Sequence, residues 1–278
     1  MQGAARSPIA SAPIGVFDSG VGGLSVLRHI RACLKNEQLI YVADTAYAPY
    51  GERSEADIEH RALAIGACLV AHGVKAIVVA CNTATAVAIG ALRQAYPSLI
   101  VVGVEPGLKP AAVLSRSKIV GVLATEATLA SEKFRHLRDL LSAQTAVQFL
   151  SQPCNGLADQ IERGAFSDAA TLAMLQRYIA PLLQQGADTL VLGCTHYPFV
   201  LHHIETVTRA ASMSPIAIID TGTAVARQVQ SMLTRQRLHT DSVAAGTVQA
   251  ITSGDPAALK HAFLTLLQLE IAVTGQSF

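Results

Sequence analysis

Charge is scarce in this 278-residue chain: only 15% of the residues are Asp, Glu, Lys or Arg, and 21 basic against 20 acidic side chains leave a net charge of +1. The basic residues are scattered, so there is no cationic stripe for nucleic acid and no basic amphipathic segment for a membrane surface. Long apolar runs are missing as well, because Gly, Pro or a charge interrupts each one before the roughly 20 residues that span a bilayer. The first thirteen residues are rich in Ala, Ser and Pro with a single Arg, and they lack the unbroken apolar core of a secretory signal. Five cysteines, an odd number with no C-x-x-C pair, argue against a disulfide framework or a zinc finger and favour the reducing cytoplasm. Nucleotide fingerprints are absent too: in Asp18-Ser19-Gly20-Val21-Gly22-Gly23 a dinucleotide motif counted from Gly20 would need Gly at position 25, where Ser stands, and no Gly-Lys-Ser/Thr follows. These absences leave a small molecule as the expected partner.

What is present is core. At 51% hydrophobic content the chain has ample apolar material for two lobes. Apolar runs at Ile14 to Phe17, Leu39 to Ala43, Ala76 to Ala80, Ile100 to Val104, Ile119 to Leu123, Val147 to Leu150, Thr189 to Leu192, Ile216 to Ile219 and Val248 to Thr252 read as strands. Helical segments separate them, which predicts α/β architecture with mostly parallel sheets. Ser54 to Ala71 carries Ile58, Leu63, Ile65 and Leu69 and stops at His72-Gly73, while Asp255-Pro256 supplies an N-cap and a first helical residue for the last helix.

Two stretches repeat. Gly15 in the first strand corresponds to Gly121, 106 positions on, and Cys81 after Ile77-Val78-Val79-Ala80 corresponds to Cys194 after Leu190-Val191-Leu192-Gly193, 113 positions on. Nearly equal offsets predict an internal duplication: two similar three-layer α/β domains related by a pseudo-twofold, with the active site in the cleft between them. The expected division is a loose tail over 1–12, a discontinuous first domain of 13–103 plus 215–278, and a second domain over 104–214.

Each of the two cysteines is expected where a strand leaves the sheet and a helix begins, the edge on which open α/β sheets bind ligands. A thiol has a reference pKa of about 8.5, so full ionisation near pH 7 costs roughly 2 kcal/mol. A helix N-terminus offsets about 0.3 to 2 kcal/mol of that. A Cys after an apolar run is more often an inert core side chain, and that reading is kept for Cys33, Cys68 and Cys154. A cysteine hydrolase or acyl transferase would leave the second thiol of the repeat idle. Inversion of a stereocentre by proton transfer needs an acid and a base on opposite faces of one carbon, and two thiols fit.

Around them, Asp18 lies at the ligand edge of the first strand, before a glycine turn able to expose N–H groups to a carboxylate. Asp44 to Gly51 forms a loop whose Pro49-Tyr50-Gly51 is as readily a structural turn as a binding one. His196, two residues after Cys194, suits proton relay or thiol tuning. His202 and His203 point about 100° apart on a helix and cannot readily share a metal, so no metal site is expected. Glu162 reads as an ordinary helical acid.

At these motifs the chain resembles the glutamate racemases of the aspartate/glutamate racemase superfamily. The resemblance rests on Phe17 to Gly23, Asp44 with Pro49-Tyr50-Gly51, Ala80-Cys81-Asn82-Thr83-Ala84, Gly103-Val104-Glu105-Pro106, Gly193-Cys194-Thr195-His196-Tyr197-Pro198 and Asp220-Thr221-Gly222, in the family's order. It implies a cofactor-independent enzyme, a cytoplasmic homodimer, that interconverts L- and D-glutamate for peptidoglycan with Cys81 and Cys194 as the acid/base pair. By the same matching, Asp18, Ser19, Tyr50, Gly51, Asn82, Thr83, Thr125, Thr128, Thr195 and His196 hold substrate, Asp18 assists Cys81, and Glu162 partners the Cys194 and His196 side. The chain departs from the commoner pattern in the less apolar Asn155 to Ile161, in Thr221 and Ser253, and in a short N-terminal tail, which points away from dependence on a cell-wall precursor as activator. An aspartate racemase and a noncatalytic amino-acid-binding module are the alternatives kept beside the hydrolase.

Overall fold

The computed structural model describes residues 9–278. The first unit contains β1 (Ile14–Asp18), α1 (Leu24–Cys33), β2 (Leu39–Ala43), α2 (Glu55–Ala71), β3 (Ala76–Val79), α3 (Asn82–Ala95) and β4 (Ile100–Gly103). The second contains α4 (Leu108–Leu114), β5 (Ile119–Ala124), α5 (Glu126–Ala130), α6 (Glu132–Thr145), β6 (Gln148–Pro153), α7 (Leu157–Glu162), α8 (Ala169–Gln184), β7 (Thr189–Gly193), α9 (Leu201–Ala211) and β8 (Ala217–Ile219). The chain then returns to the first unit with α10 (Gly222–Gln236), β9 (Val248–Thr252), α11 (Pro256–Leu267) and β10 (Val273–Gly275).

Both sheets are parallel throughout. The first runs β10-β9-β2-β1-β3-β4 and the second β6-β5-β7-β8, so β2-β1-β3-β4 and β6-β5-β7-β8 have the same order. The register agrees as well: Gly15 faces Ile77 in the first sheet, and Gly121 faces Leu190 in the second. A Cβ on Gly15 would meet Leu69 of α2 at 2.8 Å, and one on Gly121 would meet Leu182 of α8 at 2.8 Å. The missing side chains let an equivalent helix lie against an equivalent strand in each unit. Those helices end alike, at Gly73 with φ 72° and Gly186 with φ 90°. This is a duplicated α/β fold.

Burial explains which strands were legible. The central strands β1, β2, β3 and β7 are buried at every position, as parallel strands covered by helices on both faces must be. β6 alternates toward solvent at the edge of its sheet, and β10, a short half-exposed edge strand, carries no apolar run and is absent from the sequence expectation. Among the described residues no helix is long and apolar enough to cross a membrane.

Two boundaries differ from the expected division: β8 pairs with β7, so residues 215–221 lie in the second unit, and Val104 lies in the first. Of the tail expected over 1–12, residues 1–8 lie outside the described residues, and 9–12 form a turn closed by the Ala12 N–H on the Ile9 carbonyl at 3.0 Å.

In each sheet the chain leaves the central strand to one side and then crosses to the other, from β1 to β2 to β3 and from β5 to β6 to β7. The loops after β1 and β3, and after β5 and β7, therefore diverge at a topological switch point, where such sheets bind ligands.

Candidate active site

In the first unit, Phe17 and Val79 are partners in register and the Ala80 N–H bonds to the Phe17 carbonyl at 2.7 Å, so Ser19 and Cys81 leave adjacent strands side by side. The Cys81 Sγ lies 3.9 Å from the Ser19 Oγ, which lies 3.4 Å from Asp18 Oδ1. Asp18 is fully buried and also accepts the Gly20 N–H at 2.8 Å. Tyr41 steadies the turn by donating its hydroxyl to the Gly20 carbonyl at 2.7 Å. Cys81 is the N-cap of α3: its sulfur accepts from the Ala84 N–H at 3.4 Å, and the Thr85 N–H closes the first helical turn on the Cys81 carbonyl at 2.9 Å. The N–H groups of that turn favour sulfur as an anion. Asn82 and Thr83, the next two residues, are buried, and the Asn82 Oδ1 has no hydrogen-bond partner among the described residues, an acceptor available to an ammonium.

Tyr50 packs into the same apolar cluster as Cys81, but its hydroxyl is committed elsewhere. It donates to Asp44 Oδ2 at 2.5 Å, and Asp44 takes a bidentate pair from Arg61 of α2, Nη2 to Oδ1 at 2.7 Å and Nε to Oδ2 at 2.9 Å. Burial first, and then the Asp44 carboxylate, push the Tyr50 hydroxyl far above the usual phenol range. Gly51 follows it, half-buried, in a 3₁₀ turn over Tyr50–Glu52. Arg61 escaped the sequence reading, although a signal exists: it sits between Ile58 and Ile65 on the apolar stripe of α2, where a cation demands a buried carboxylate.

In the second unit, Ala124 and Gly193 are register partners, so Thr125 and Cys194 again leave adjacent strands as a hydroxyl beside a thiol. Thr125 caps α5, donating its Oγ1 hydrogen to Thr128 Oγ1 at 2.9 Å and accepting the Thr128 N–H at 3.2 Å. The Cys194 Sγ is 3.6 Å from His196 Nδ1, and His196 Nε2 is 2.6 Å from Glu162 Oε2 at the end of α7. Burial pulls the imidazole down, but the hydrogen bonds with Cys194 and Glu162 outweigh it and hold His196 well above its ordinary value. Thr195 is buried between them in sequence. Cys154 is buried with Cys194 and Tyr197 in one cluster, and burial pushes its thiol up to about 12, which keeps it protonated.

Cys194 does not stand at a helix N-terminus, contrary to the sequence expectation. A 3₁₀ turn over Tyr197–Val200 intervenes and α9 starts only at Leu201. The reason is Pro198. It occupies the place, four residues after the thiol, that Thr85 holds in the first unit, and a proline there has no N–H for the Cys194 carbonyl and would clash with it. The Tyr197 N–H takes that carbonyl instead, at 3.2 Å. His196 with Glu162 replaces the helix as the local source of positive potential.

Residues 14–229 match the profile of the family described as Asp/Glu/Hydantoin racemase. This chain belongs to that family. A glutamate racemase of Ectopseudomonas mendocina (strain ymp) is 52% identical over 229 residues, which is 82% of this chain and 85% of the relative. Glutamate racemase isoform RacE1 from Bacillus anthracis superposes with a TM-score of 0.85 at 29% identity, covering 96% of this chain and 98% of that one. The glutamate racemase from Francisella tularensis subsp. tularensis SCHU S4, solved in complex with D-glutamate, gives a TM-score of 0.83 at 26% identity over 97% and 98% of the two chains. The family resemblance read from the motifs and the α/β fold read from the alternating apolar runs both hold.

Proposed function

We propose that this protein interconverts L- and D-glutamate by moving a proton at the α-carbon, with Cys81 serving one face and Cys194 the other. The observation that carries the reading is the pair of cysteines at equivalent strand ends of two duplicated units, each beside a hydroxyl residue, in a chain half identical to glutamate racemases. In one direction a thiolate takes the α-proton, so that a C–H bond breaks and an S–H bond forms. The opposite thiol then gives its proton to the other face, and the two cysteines exchange roles for the return.

The α-C–H is a far weaker acid than a thiol, so donors already in place around the developing carbanion must supply much of the barrier reduction. The buried N–H groups of the Asp18 to Gly23 turn and of the first turn of α3 suit the carboxylates, and the Asn82 amide oxygen suits the ammonium. Thr83, Thr125, Thr128 and Thr195 complete the expected polar contacts. Asp18 acts on Cys81 through Ser19, and Glu162 acts on Cys194 through His196. The reaction is written without a cofactor, and the product serves peptidoglycan synthesis in the cytoplasm. The active protein is a homodimer.

The test is turnover of L-glutamate in D2O, followed by polarimetry and by NMR at the α-position, with L-aspartate run alongside. Loss of optical rotation with solvent deuterium in the inverted product is expected. Inversion that retains the original α-hydrogen would sink the two-base reading.

A further inference from the structure

The Asp44–Arg61 pair is built for something other than surface charge balance. Asp44 is fully buried and Arg61 6% exposed, and the pair lies 17 residues apart in sequence with both carboxylate oxygens engaged by the guanidinium. The carboxylate accepts one bond more, from Tyr50, and Tyr50 packs with Cys81 and with Ala84 of α3 in a single cluster. Arg61 is itself held: its Nη1 donates to the main-chain oxygen of Phe278 at 2.5 Å, and its guanidinium carbon lies 3.8 Å from the centre of the Tyr47 ring. A chain of contacts therefore runs from α2 through Asp44 to the phenol beside the thiol.

We propose that Arg61 and Asp44 are positioning residues for the Cys81 half of the site: their bidentate pair takes up the Tyr50 hydroxyl, fixes the Tyr50–Gly51 turn against Cys81, and leaves no net charge beside the thiol. Planar, bidentate geometry is what Arg supplies and Lys does not, so the fork sets the orientation of the carboxylate and, through it, of the phenol. The charge argument is separable from the orientation argument. With Arg61 removed, a carboxylate is left buried next to Tyr50, and a negative charge there opposes ionisation of Cys81.

The other titratable groups around the pair are Arg53, Asp57 and His60, which line a cavity of about 310 Å³ on its outer side with Tyr47. Those that face Cys81 are Tyr50 and, through Ser19, Asp18. Arg61 is the member of the set joined to the Asp44 carboxylate by two hydrogen bonds.

This inference rests on the reading of Cys81 as an acid/base thiol, and its first test, by alkylation, does not need turnover. The rate of iodoacetamide alkylation is followed against pH for Cys81 and Cys194 separately, by peptide mass spectrometry, in the full-length protein. In Arg61→Met the midpoint for Cys81 moves up by roughly one pH unit, while that for Cys194 stays. The double variant Asp44→Asn/Arg61→Met, which keeps an acceptor for Tyr50 without the charge, brings the Cys81 midpoint back. Arg61→Lys keeps the charge and loses the fork, so the Cys81 midpoint holds while KM rises severalfold with kcat little changed. A Cys81 midpoint that does not move in Arg61→Met, or one that moves together with Cys194, overturns the proposal. If Arg61→Met does not fold, Arg61→Lys decides alone: a fall in kcat at constant KM overturns it. Failure of the wild type to racemise glutamate would instead overturn the functional reading and leave the alkylation result standing.

Discussion

Glu162 and His196, 34 residues apart in sequence, meet at 2.6 Å between Oε2 and Nε2, and the far nitrogen of the same imidazole is 3.6 Å from the Cys194 sulfur. A carboxylate, an imidazole and a thiol are thus linked in series, and contacts at both ring nitrogens raise the imidazole against the cost of its burial.

Replacing Glu162 by Gln removes one of the two supports. Burial is then opposed by Cys194 alone, the His196 titration moves down, and the positive potential beside Cys194 weakens. The expected result is a kcat lower by on the order of 10²-fold, with the His196 titration displaced to lower pH in an NMR experiment. A His196 titration that does not move would remove Glu162 from this role.

The two thiols predict opposite partial reactions. Cys194→Ala stops interconversion yet leaves exchange of the α-hydrogen with D2O for one enantiomer, and Cys81→Ala leaves it for the other. Proton NMR combined with chiral chromatography separates exchange from inversion. Full racemisation by either variant would take that cysteine out of the mechanism.

Gly23 precedes α1 where a Cβ would stand 2.6 Å from the Asp18 Cβ and 2.9 Å from the Tyr41 hydroxyl. Gly23→Ala therefore costs about 1 to 3 kcal/mol of stability and displaces Asp18 from Ser19, lowering activity beyond what the stability loss explains. Gly90, within α3, has open space within 4 Å of the point a Cβ would occupy. Gly90→Ala gains roughly 0.5 to 1 kcal/mol with activity retained. Urea midpoints and initial rates of the two variants check the contrast.

Asp188 lies just before β7, at the end of that strand away from Cys194. Burial raises its carboxyl, but the N–H groups of Ser117 and Arg116 and the hydroxyls of Ser115 and Thr189 outweigh that and bring it down to about 2. A group whose native value lies below its unfolded value stabilises above the unfolded value and loses that contribution as pH falls through the native one. The advantage of wild type over Asp188→Asn should accordingly shrink between pH of about 4 and about 2. Urea midpoints across that window measure it, and a difference that stays constant with pH would contradict it.

How far the sequence revealed this depended on the range of the interaction concerned. The buried strands were visible as unbroken apolar runs, and the cap at Asp255 was visible because the hydrogen bond it makes, to the N–H of Ala257, is local. The place of Cys81 where β3 ends and α3 begins was legible from the apolar run before it. β10 was not, since a half-exposed edge strand of three residues has no pattern to show. Glu162 looked like any acid on a helix because its partner lies in another element, and periodicity carries no information on that meeting. The expectation of a helix at Cys194 was wrong for a reason visible in hindsight at Pro198, whose missing N–H falls on the one bond that would have started the helix.

That proline has a consequence for how the molecule responds to its surroundings. Peptide dipoles do not titrate, so the support α3 lends to Cys81 is the same in acid and in base. The support of Cys194 comes from an imidazole, which gains and loses a proton. The His196 contribution to Cys194 therefore follows the pH of the medium where the contribution of the α3 dipole to Cys81 does not, and substitutions at 162 or 196 retune that response while the scaffold of both units stays as it is.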